Sequence, residues 1–540
     1  MITKISLLYH TIKYLKLRQI IYRIIFKLPS INFNYLPSPK LRKPKKFVSN
    51  FIDTRQSLFS ENEFKFLNKT RIISTYQDWT DNSFDDLWLY NLHYFDDLNA
   101  FDSKKRKTLH INLLDRWVNE NLSKSTIGWQ SYPISRRIVN WIKWGLKGNE
   151  FKDVWLNSLA NQANHLSKNL EYHILGNHLF ANAKALIFAG LFLECRKSKY
   201  WYEKGLKLVK DQIKEQILDD GGHFELSPMY HSIFLEDLLD IINIHNLYEK
   251  KIPNIINEKV EPMLNWIKAM SHPDKKLTFF NDSTFGNCAS FEDLRNYAIN
   301  LGLNSDINCE GVNWLKESGY ICINKDTYYA AIDVGNIGPD YLPGHAHADT
   351  LSFELSVNNK RVFVNSGVSC YGKSAERLRQ RSTMAHNTVC IDNKNSSEVW
   401  DGFRVAKRAR PNNLKTKFTP NIIDIYCAHD GYTRLKGNAV HSRNFLFKNN
   451  SLLIHDKVKG KFSSAKALFH LHPNINVSID ASRKNGTIFL DEKNFINFEL
   501  NCGMASTKKT TYHPEFGISQ INECIHVDFS NNEIKIKFSW

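Results

Sequence analysis

Residues 344–357, GHAHADTLSFELSV, contain the clearest strand pattern in the chain. Apolar side chains alternate here with smaller or polar ones, at Leu351, Phe353, Leu355 and Val357. This period of two is typical of a half-buried antiparallel strand. Asn pairs follow strand-like runs at 358–359, 449–450 and 531–532, and Asn tolerates the positive φ of tight hairpin turns. Hairpins in series predict an antiparallel β-sandwich beyond about Gly311.

Upstream, from about Lys105 to Leu303, the apolar residues follow helical spacing instead. The predicted helices are 108–121, 135–146, 154–172, 177–193, 201–218, 233–248 and 256–270. Short connections require consecutive helices to pack as antiparallel neighbours, which leaves layered pairs, a bundle and an incomplete toroid open. The change of period near residue 305 predicts a helical domain at 31–305 and a β-sandwich at 306–540.

The composition is that of a globular protein with more than one domain, since the chain has 540 residues with 42% hydrophobic and 24% charged. Its 72 Lys and Arg against 55 Asp and Glu give a formal charge of +17, which favours polyanionic partners. Nucleic acid, an anionic membrane and acidic polysaccharide all fit this charge. The nine cysteines form no C-x-x-C pair, so neither a disulfide framework nor a thiolate zinc site is expected.

The N-terminal segment, residues 1–28, alternates apolar runs with Lys and Arg. We therefore expect neither a signal-peptide core nor a membrane span. Apolar residues recur at helical spacing, at Leu17, Ile21, Ile24 and Leu28, before Pro29. An amphipathic helix within residues 1–30 has two equally good places, an anionic membrane surface or the body of the protein itself.

In the C-terminal half, His345 and His347 precede the strand quoted above. Histidines at i and i+2 on extended backbone share a face, where they can bind a metal or transfer protons. Asn365 ends the next strand-like run, and His386 precedes another. His347, Asn365 and His386 would converge if those strand ends are neighbours; the alternative is a set of loop histidines that make ordinary hydrogen bonds.

In the helical half, Asn177 and His178 precede an apolar run, where Asn is also a favoured helix cap. The loop 220–231, DGGHFELSPMYH, concentrates Gly, Pro and polar side chains between two helices. Aromatic and Arg residues in 128–137 suit sugar faces and carboxylates, although an aromatic core beside solvated arginines explains them as well. The candidates for substrate contact are Trp129, Tyr132, Arg136, Arg137, Glu225 and His231.

Residues 177–178 before a helix, then 220–231, 344–353 and 381–388, resemble in this order the heparinase II/III and alginate lyase superfamily of polysaccharide lyases. The likeness runs from about Tyr90 to the C-terminus, and is closest to members that lack signal peptides and resemble products of surface-polysaccharide gene clusters. The resemblance implies an α+β multidomain protein, with an incomplete α/α toroid followed by an antiparallel β-sandwich. The active site would lie in the cleft between them.

Such an enzyme would cleave an anionic, uronate-containing polysaccharide or oligosaccharide by β-elimination, removing the C5 proton and breaking the C4–O bond. By resemblance, Asn177 and His178 would hold the uronate carboxylate, Tyr230 would protonate the leaving oxygen, and His345 or Tyr371 would be the base. The implied ligands of one divalent metal, zinc or calcium, are His347, Asn365 and His386. The family usually has Asp where this chain has Asn365, which weakens the site. No organic cofactor is implied.

Two other functions compete with the lyase. A glycoside hydrolase would need two carboxylates, for which Glu225 and Asp220 are available. A non-catalytic glycan-binding or assembly factor at a membrane would use the basic N-terminal helix. Nucleic-acid binding is not expected, because no phosphate-binding loop or reader motif accompanies the charge. The uronate, its linkage, endo or exo action, the compartment and the oligomeric state stay open.

Overall fold

The computed structural model describes residues 2–26, 39–46 and 51–540. Helices dominate its first half, as the spacing predicts. They are α1 (Ile2–Ile12), α2 (Leu17–Ile25), α3 (Asp86–Tyr94), α4 (Lys107–Glu120), α5 (Ser131–Leu146), α6 (Asp153–Lys168), α7 (Gly176–Phe192), α8 (Ser198–Gln216), α9 (Pro228–Leu247), α10 (Asn254–Ala269) and α11 (Phe291–Asn300). One short helix, α12 (Ala375–Gln380), lies among the strands of the second half.

The helical half is layered around α7. This helix is apolar on nearly every side, and almost all of its residues are buried. A helix without a polar face must be surrounded by other helices. Four of them, α5, α6, α8 and α9, contact it, while α10 packs against α9 and α11. The neighbouring helices therefore hold α7 in place from several sides.

The strands of the main sheets begin at Gly311, after α11 has ended at Asn300. Short strands that pair outside the main sheets are β1 (Lys40–Leu41), β2 (Glu63–Phe66), β3 (Lys69–Ile72), β4 (Leu193–Glu194), β11 (Val399–Trp400) and β12 (Arg404–Val405). A five-stranded antiparallel sheet has the order β5 (Gly311–Leu315), β6 (Tyr320–Lys325), β7 (Tyr328–Asp333), β8 (Phe353–Val357) and β9 (Lys360–Phe363).

Two further antiparallel sheets complete the second half. The eight-stranded sheet has the order β13 (Pro411–Phe418), β14 (Ile422–His429), β15 (Val440–Lys448), β16 (Ser451–Lys459), β23 (Glu533–Ser539), β20 (Phe495–Leu500), β19 (Asn485–Phe489) and β18 (Asn476–Ile479). The four-stranded sheet has the order β10 (Val389–Ile391), β17 (Ala465–His470), β22 (Gln520–Phe529) and β21 (Met504–Tyr512). The predicted Asn turns join β8 to β9, β15 to β16 and β22 to β23; Asn358, Asn359 and Asn449 have positive φ.

One apolar core joins these sheets. Phe353 of the five-stranded sheet lies with its ring centroid 5.5 Å from that of Phe445 in the eight-stranded sheet and 6.3 Å from that of Phe469 in the four-stranded sheet. Sheets that share inward-facing side chains in this way form a sandwich. The strand period of two therefore reflects burial of one face of each sheet.

Helices α1 and α2 pack on the body of the protein with one side only. Gln19 is buried there and donates to the carbonyl oxygens of Ile174 and Tyr341. The opposite side leaves a row of apolar side chains exposed. Within residues 2–26, 39–46 and 51–540, no helix combines the length and the apolar content needed to cross a membrane.

The shared core makes a testable prediction about stability. Phe538 is buried against Phe363 and Phe469, so Phe538→Ala is expected to lower the free energy of unfolding by about 3–5 kcal/mol. Phe489→Ala is the matched control, because Phe489 is 43% exposed, and it should cost less than about 1 kcal/mol. Thermal and urea unfolding measure both variants; equal losses would contradict a core shared by the sheets.

Candidate active site

A cleft of about 1580 Å³ lies between the two halves and is lined by both. The helical half contributes Tyr90, Tyr132, Arg136, Asn177, His178, Glu225 and Tyr230. The second half contributes His345, Tyr371, Phe403 and Arg404. All five residues predicted to be catalytic therefore line one cleft.

Asn177 enters the cleft because of an unusual turn before α7. Leu175 has φ 72° and ψ −153°, and Gly176 has φ 56°, both outside the range that most side chains tolerate. A Cβ on Gly176 would lie 2.6 Å from Glu225 Oε1, so only Gly fits there. Asn177 is not the helix cap, since it lies inside the first turn. Its amide makes no hydrogen bond within the described chain and is free to bind a ligand.

His178 is held beside Asn177 as a cation. Its Nδ1 lies 3.0 Å from Glu171 Oε1, and its ring packs 4.4 Å from that of Tyr132. Burial works against the charged ring, but the Glu171 carboxylate outweighs it and raises the pKa of His178 above its ordinary value. Glu171 is fixed in turn by Asn182 Nδ2 at 2.9 Å. The Glu171 carboxylate therefore favours the protonated form of this imidazole, which lines the cleft next to a free amide.

Glu225 lies between the two histidines of the cleft. It is buried, its Oε2 has no hydrogen-bond partner, and this oxygen is 3.8 Å from His345 Nε2. Burial raises the pKa of the Glu225 carboxyl, although His345 and His178 oppose the shift. Such a carboxyl group is available to a sugar hydroxyl or to a proton.

Tyr230 is positioned by the start of α9. Ser227 caps this helix by accepting from the Tyr230 N–H, and Pro228 occupies its first turn. The Tyr230 hydroxyl lies 2.9 Å from that of Tyr371, and its ring stacks 3.9 Å from the ring of His345. Burial raises the pKa values of both tyrosines well above their ordinary value. Both phenols therefore carry their protons in the free protein.

His345 and His347 share one buried carboxylate, Asp282. His345 Nδ1 lies 2.8 Å from Asp282 Oδ2, and His347 Nε2 lies 2.9 Å from Oδ1. Arg377 of α12 binds both oxygens of the same carboxylate, with Nη2 2.6 Å from Oδ2. Burial opposes the charge, yet Arg377 and the two histidines hold the pKa of Asp282 well below its usual range.

Asp282 and Arg377 were not among the site residues predicted from the sequence. Asp282 follows an apolar run in a loop, Phe279-Phe280-Asn281-Asp282, and a lone Asp in such a position carries no signal of its own. Arg377 lies in a helix of six residues, too short to give a periodic pattern. The one available signal was the density of Arg in 377–381, RLRQR.

The residues predicted to bind a metal lie close together, but they form an incomplete donor set. His347 Nδ1 and His386 Nε2 are 3.0 Å apart. Asn365 accepts from the Asn387 N–H, and its Nδ2 has no partner. Within the described residues, no group of three or more His, Cys, Asp or Glu is arranged to hold a metal. Two imidazoles and an amide, without an anionic ligand, fit zinc or calcium poorly.

Three residues predicted to contact substrate lie elsewhere, and this corrects the expectation. Trp129 is buried in the aromatic core, where its indole N–H donates to the Asn121 carbonyl oxygen. Arg137 is fully buried and donates to His93 O, Gly128 O and Gln162 Oε1. His231 stacks on Trp266, and burial lowers its pKa to about 3. Local composition could not separate such core residues from cleft residues.

Asp220, one of the two carboxylates available to a hydrolase, is also absent from the cleft. Its oxygens accept from the Ser318 N–H at 2.6 Å, the Ser318 hydroxyl at 2.9 Å and the Gly222 N–H at 3.0 Å. These bonds anchor the loop to the second half. Asp220 therefore has a structural role, and the pair of Asp220 with Glu225 does not flank a common site.

Comparison with known families covers nearly the whole chain. Residues 55–305 match the heparinase II/III N-terminus, and residues 309–540 match the heparinase II/III-like C-terminal region. A heparin-sulfate lyase from Bacteroides stercoris is 28% identical over 354 residues, which are 61% of this chain and 50% of that protein. The chain spans about half the length of the curated relatives it matches.

Solved structures give the same fold at low identity. A crystal structure of heparinase III has a TM-score of 0.70 with 18% identity, covering 85% of this chain and 78% of that one. A mutant of the heparan sulfate lyase HepC from Pedobacter heparinus has a TM-score of 0.62 with 19% identity, covering 88% and 81%. The predicted toroid followed by an antiparallel β-sandwich is confirmed.

The charge on His178 is testable through Glu171. Glu171→Gln keeps the size of the side chain but removes its charge, so the pKa of His178 should fall below its value in the parent protein. Since the folded pKa is raised, the ion pair stabilises the fold fully below the ordinary His pKa of about 6.5 and is lost as pH rises through the raised value. NMR titration of the ring carbons measures the shift.

Glu203→Gln is the control for this titration, because it removes the charge of an exposed carboxylate. Glu203 Oε1 lies 3.8 Å from Lys199 Nζ. This variant should leave the pKa of His178 unchanged. An unchanged titration in Glu171→Gln would mean that Glu171 does not hold the imidazole as a cation.

Proposed function

Because the chain belongs to the heparinase II/III family, we propose that it is a polysaccharide lyase that cleaves an anionic, uronate-containing glycan by β-elimination. One observation carries the proposal. A cationic imidazole and a free amide, from His178 and Asn177, face two phenols and an oriented imidazole across a single cleft. These are the groups that proton removal next to a carboxylate requires.

The first requirement is to neutralise the uronate carboxylate. The C5 proton becomes removable when negative charge that develops on the adjacent carboxylate is stabilised. His178 offers a positive N–H donor, and the Asn177 amide offers a neutral one. We assign both to the carboxylate, with Arg136 on the same wall of the cleft.

The base must direct a lone pair at the proton on C5. His345 suits this role, because its Nδ1 lies against Asp282, so that a neutral ring donating from Nδ1 would present the lone pair of Nε2 to the cleft. The tyrosines are poorer bases in the free protein, since burial raises their pKa values well above the ordinary value. We therefore assign proton removal to His345 Nε2 in preference to Tyr371.

The acid must deliver a proton to O4. Tyr230 is protonated and lies beside His345, and its hydroxyl is within hydrogen-bond distance of the Tyr371 hydroxyl. In the proposed step, His345 takes the C5 proton, the C–H electrons form the C4=C5 double bond, the C4–O4 bond breaks, and Tyr230 protonates O4. The Tyr371 hydroxyl is placed to stabilise the resulting phenolate.

Hydrolysis on this scaffold has less support. A hydrolase needs two carboxyl groups on either side of the bond. Glu225 lines the cleft, but Asp220 is engaged with Ser318. The geometry thus supplies a proton-transfer set suited to elimination.

The names of the related lyases suggest a class of substrate. Those named heparin-sulfate lyases share 28% and 27% identity with parts of this chain. We propose an acidic polysaccharide or oligosaccharide related to heparan sulfate in having a uronate on the cleaved side of the bond. A role of this protein in surface-polysaccharide metabolism stays a prediction from the sequence.

Neither the metal nor the membrane enters this reaction. Elimination needs no activated water, so no step depends on a metal. The zinc or calcium site at His347, Asn365 and His386 stays a prediction, which elemental analysis of the purified protein tests. Membrane contact through residues 1–28 likewise stays a prediction with its own physical basis, the exposed side of α1 and α2.

The activity is tested by incubating the protein with a panel of acidic polysaccharides, heparan sulfate among them. The proposal expects products with an unsaturated uronate, detected by ultraviolet absorbance. Tyr230→Phe removes the proposed acid and should lower kcat/KM by about 10²–10⁴. Tyr200→Phe, an exposed residue of α8, is the control and should retain full activity.

Two results would overturn the proposal. Reducing ends released without ultraviolet absorbance would identify a hydrolase. Full activity in Tyr230→Phe would remove the assigned acid.

A further inference from the structure

The positive charge of the chain is concentrated at its start. Residues 1–52 contain 11 of the 72 Lys and Arg and none of the 55 Asp and Glu. They therefore account for +11 of the formal +17, although they make up less than a tenth of the chain. The remaining 488 residues are close to balanced in charge. Most of the net positive charge of the chain therefore comes from this segment.

Exposed apolar side chains are concentrated in the same place. Large hydrophobic residues that are exposed number 26 in the described chain, and nine of these lie in residues 5–26. They are Ile5, Tyr9, Ile12, Leu17, Ile20, Ile21, Ile24, Ile25 and Phe26. Isolated exposed apolar residues are ordinary, but a contiguous patch marks a surface that something covers.

The polarity of α2 is the reverse of what docking on a protein body requires. A helix that packs on its own protein normally turns its apolar stripe inward. In α2 the buried residue is Gln19, whereas Leu17, Ile21 and Ile24 at helical spacing are 70%, 45% and 62% exposed. In α1, Ile5 and Tyr9 are four residues apart, so they share one face of the helix, and they are 60% and 64% exposed.

The inward side of the helices is nevertheless well anchored. Thr11 donates to the Val405 carbonyl oxygen and accepts from the Trp400 indole N–H. On the helical half, Lys16 pairs with Glu215, and the guanidinium of Arg18 lies 3.6 Å from the ring centre of Tyr172. The helices are therefore held in place across both halves while the apolar side stays uncovered.

We propose that α1 and α2 form a docking surface for an anionic lipid membrane. The helices would lie in the plane of the interface, with the apolar row among the acyl chains and Lys4 and Lys13, both exposed, at the level of the headgroups. An anionic membrane satisfies both features of this surface, since it accepts apolar side chains and attracts exposed cations such as Lys4 and Lys13. A second copy of the chain would bring the same charge and be repelled.

Docking would also orient the cleft. Leu8 and Ile12 of α1, Leu15 in the turn after it and Arg23 of α2 line the cleft, so the cleft opens beside the proposed membrane contact. The protein would then meet glycan that is attached to, or assembled at, an anionic membrane. Membrane binding itself does not depend on the lyase activity, and the two can fail separately.

Co-sedimentation of the full chain with vesicles tests the proposal. Vesicles of phosphatidylcholine alone are compared with vesicles that contain phosphatidylglycerol as a second, anionic component. The protein is expected to bind the anionic vesicles, and binding should weaken as salt is raised. Ile21→Gln with Ile24→Gln should lower the partition coefficient by about tenfold or more, because two side chains lose their apolar contact with lipid.

The matched control changes the same residue type elsewhere. Ile299 and Ile521 are 45% and 69% exposed, and Ile299→Gln with Ile521→Gln should bind as the parent does. Circular dichroism and unfolding verify that both double variants are folded. Absence of vesicle binding in the parent, or equal loss in both double variants, would overturn the proposal. So would a dimer in light scattering that Ile21→Gln with Ile24→Gln dissociates, since a second copy would then cover the surface.

Discussion

The carboxylate of Asp282 connects the two halves of the molecule and the chemistry at their boundary. It belongs to the loop after α10, yet its four partner contacts come from His345, His347 and Arg377 of the second half. A fully buried carboxylate is tolerated because these donors compensate it. Since the same contact engages Nδ1 of His345, the bond that joins the two halves also orients the ring whose Nε2 we propose as the base. Fold and proposed function therefore depend on one ion pair network.

The fold could be predicted from the sequence, but only part of the candidate site could. Helical and strand periods are local, so the seven predicted helices and the Asn hairpins could be derived from spacing alone. The family resemblance supplied five candidate catalytic residues, and all of them line the cleft. They are Asn177, His178, Tyr230, His345 and Tyr371. Trp129, Arg137 and His231 were misassigned because burial depends on tertiary packing that composition does not encode. Asp282 was missed because its partners lie 63 to 95 residues away in the sequence, and Glu171 because it lies outside the quoted motifs.

The two kinds of positive charge in this protein have different physical roles. The charge assigned to the proposed reaction is buried and local, since the Glu171 carboxylate raises the pKa of His178 against the cost of desolvation. The formal charge of +17 comes mostly from the first 52 residues, and α1 and α2 within this segment also expose apolar side chains. Substrate recognition and surface attachment can therefore be separated experimentally.

The central claim is that Asn177 and His178 hold a uronate carboxylate while His345 Nε2 faces C5. A crystal structure of the Tyr230→Phe protein with a bound uronate-containing oligosaccharide tests it most directly. The account predicts the carboxylate within hydrogen-bond distance of the Asn177 amide and the His178 ring, with C5 next to His345 Nε2. A carboxylate bound elsewhere in the cleft, with C5 turned away from His345, would contradict it.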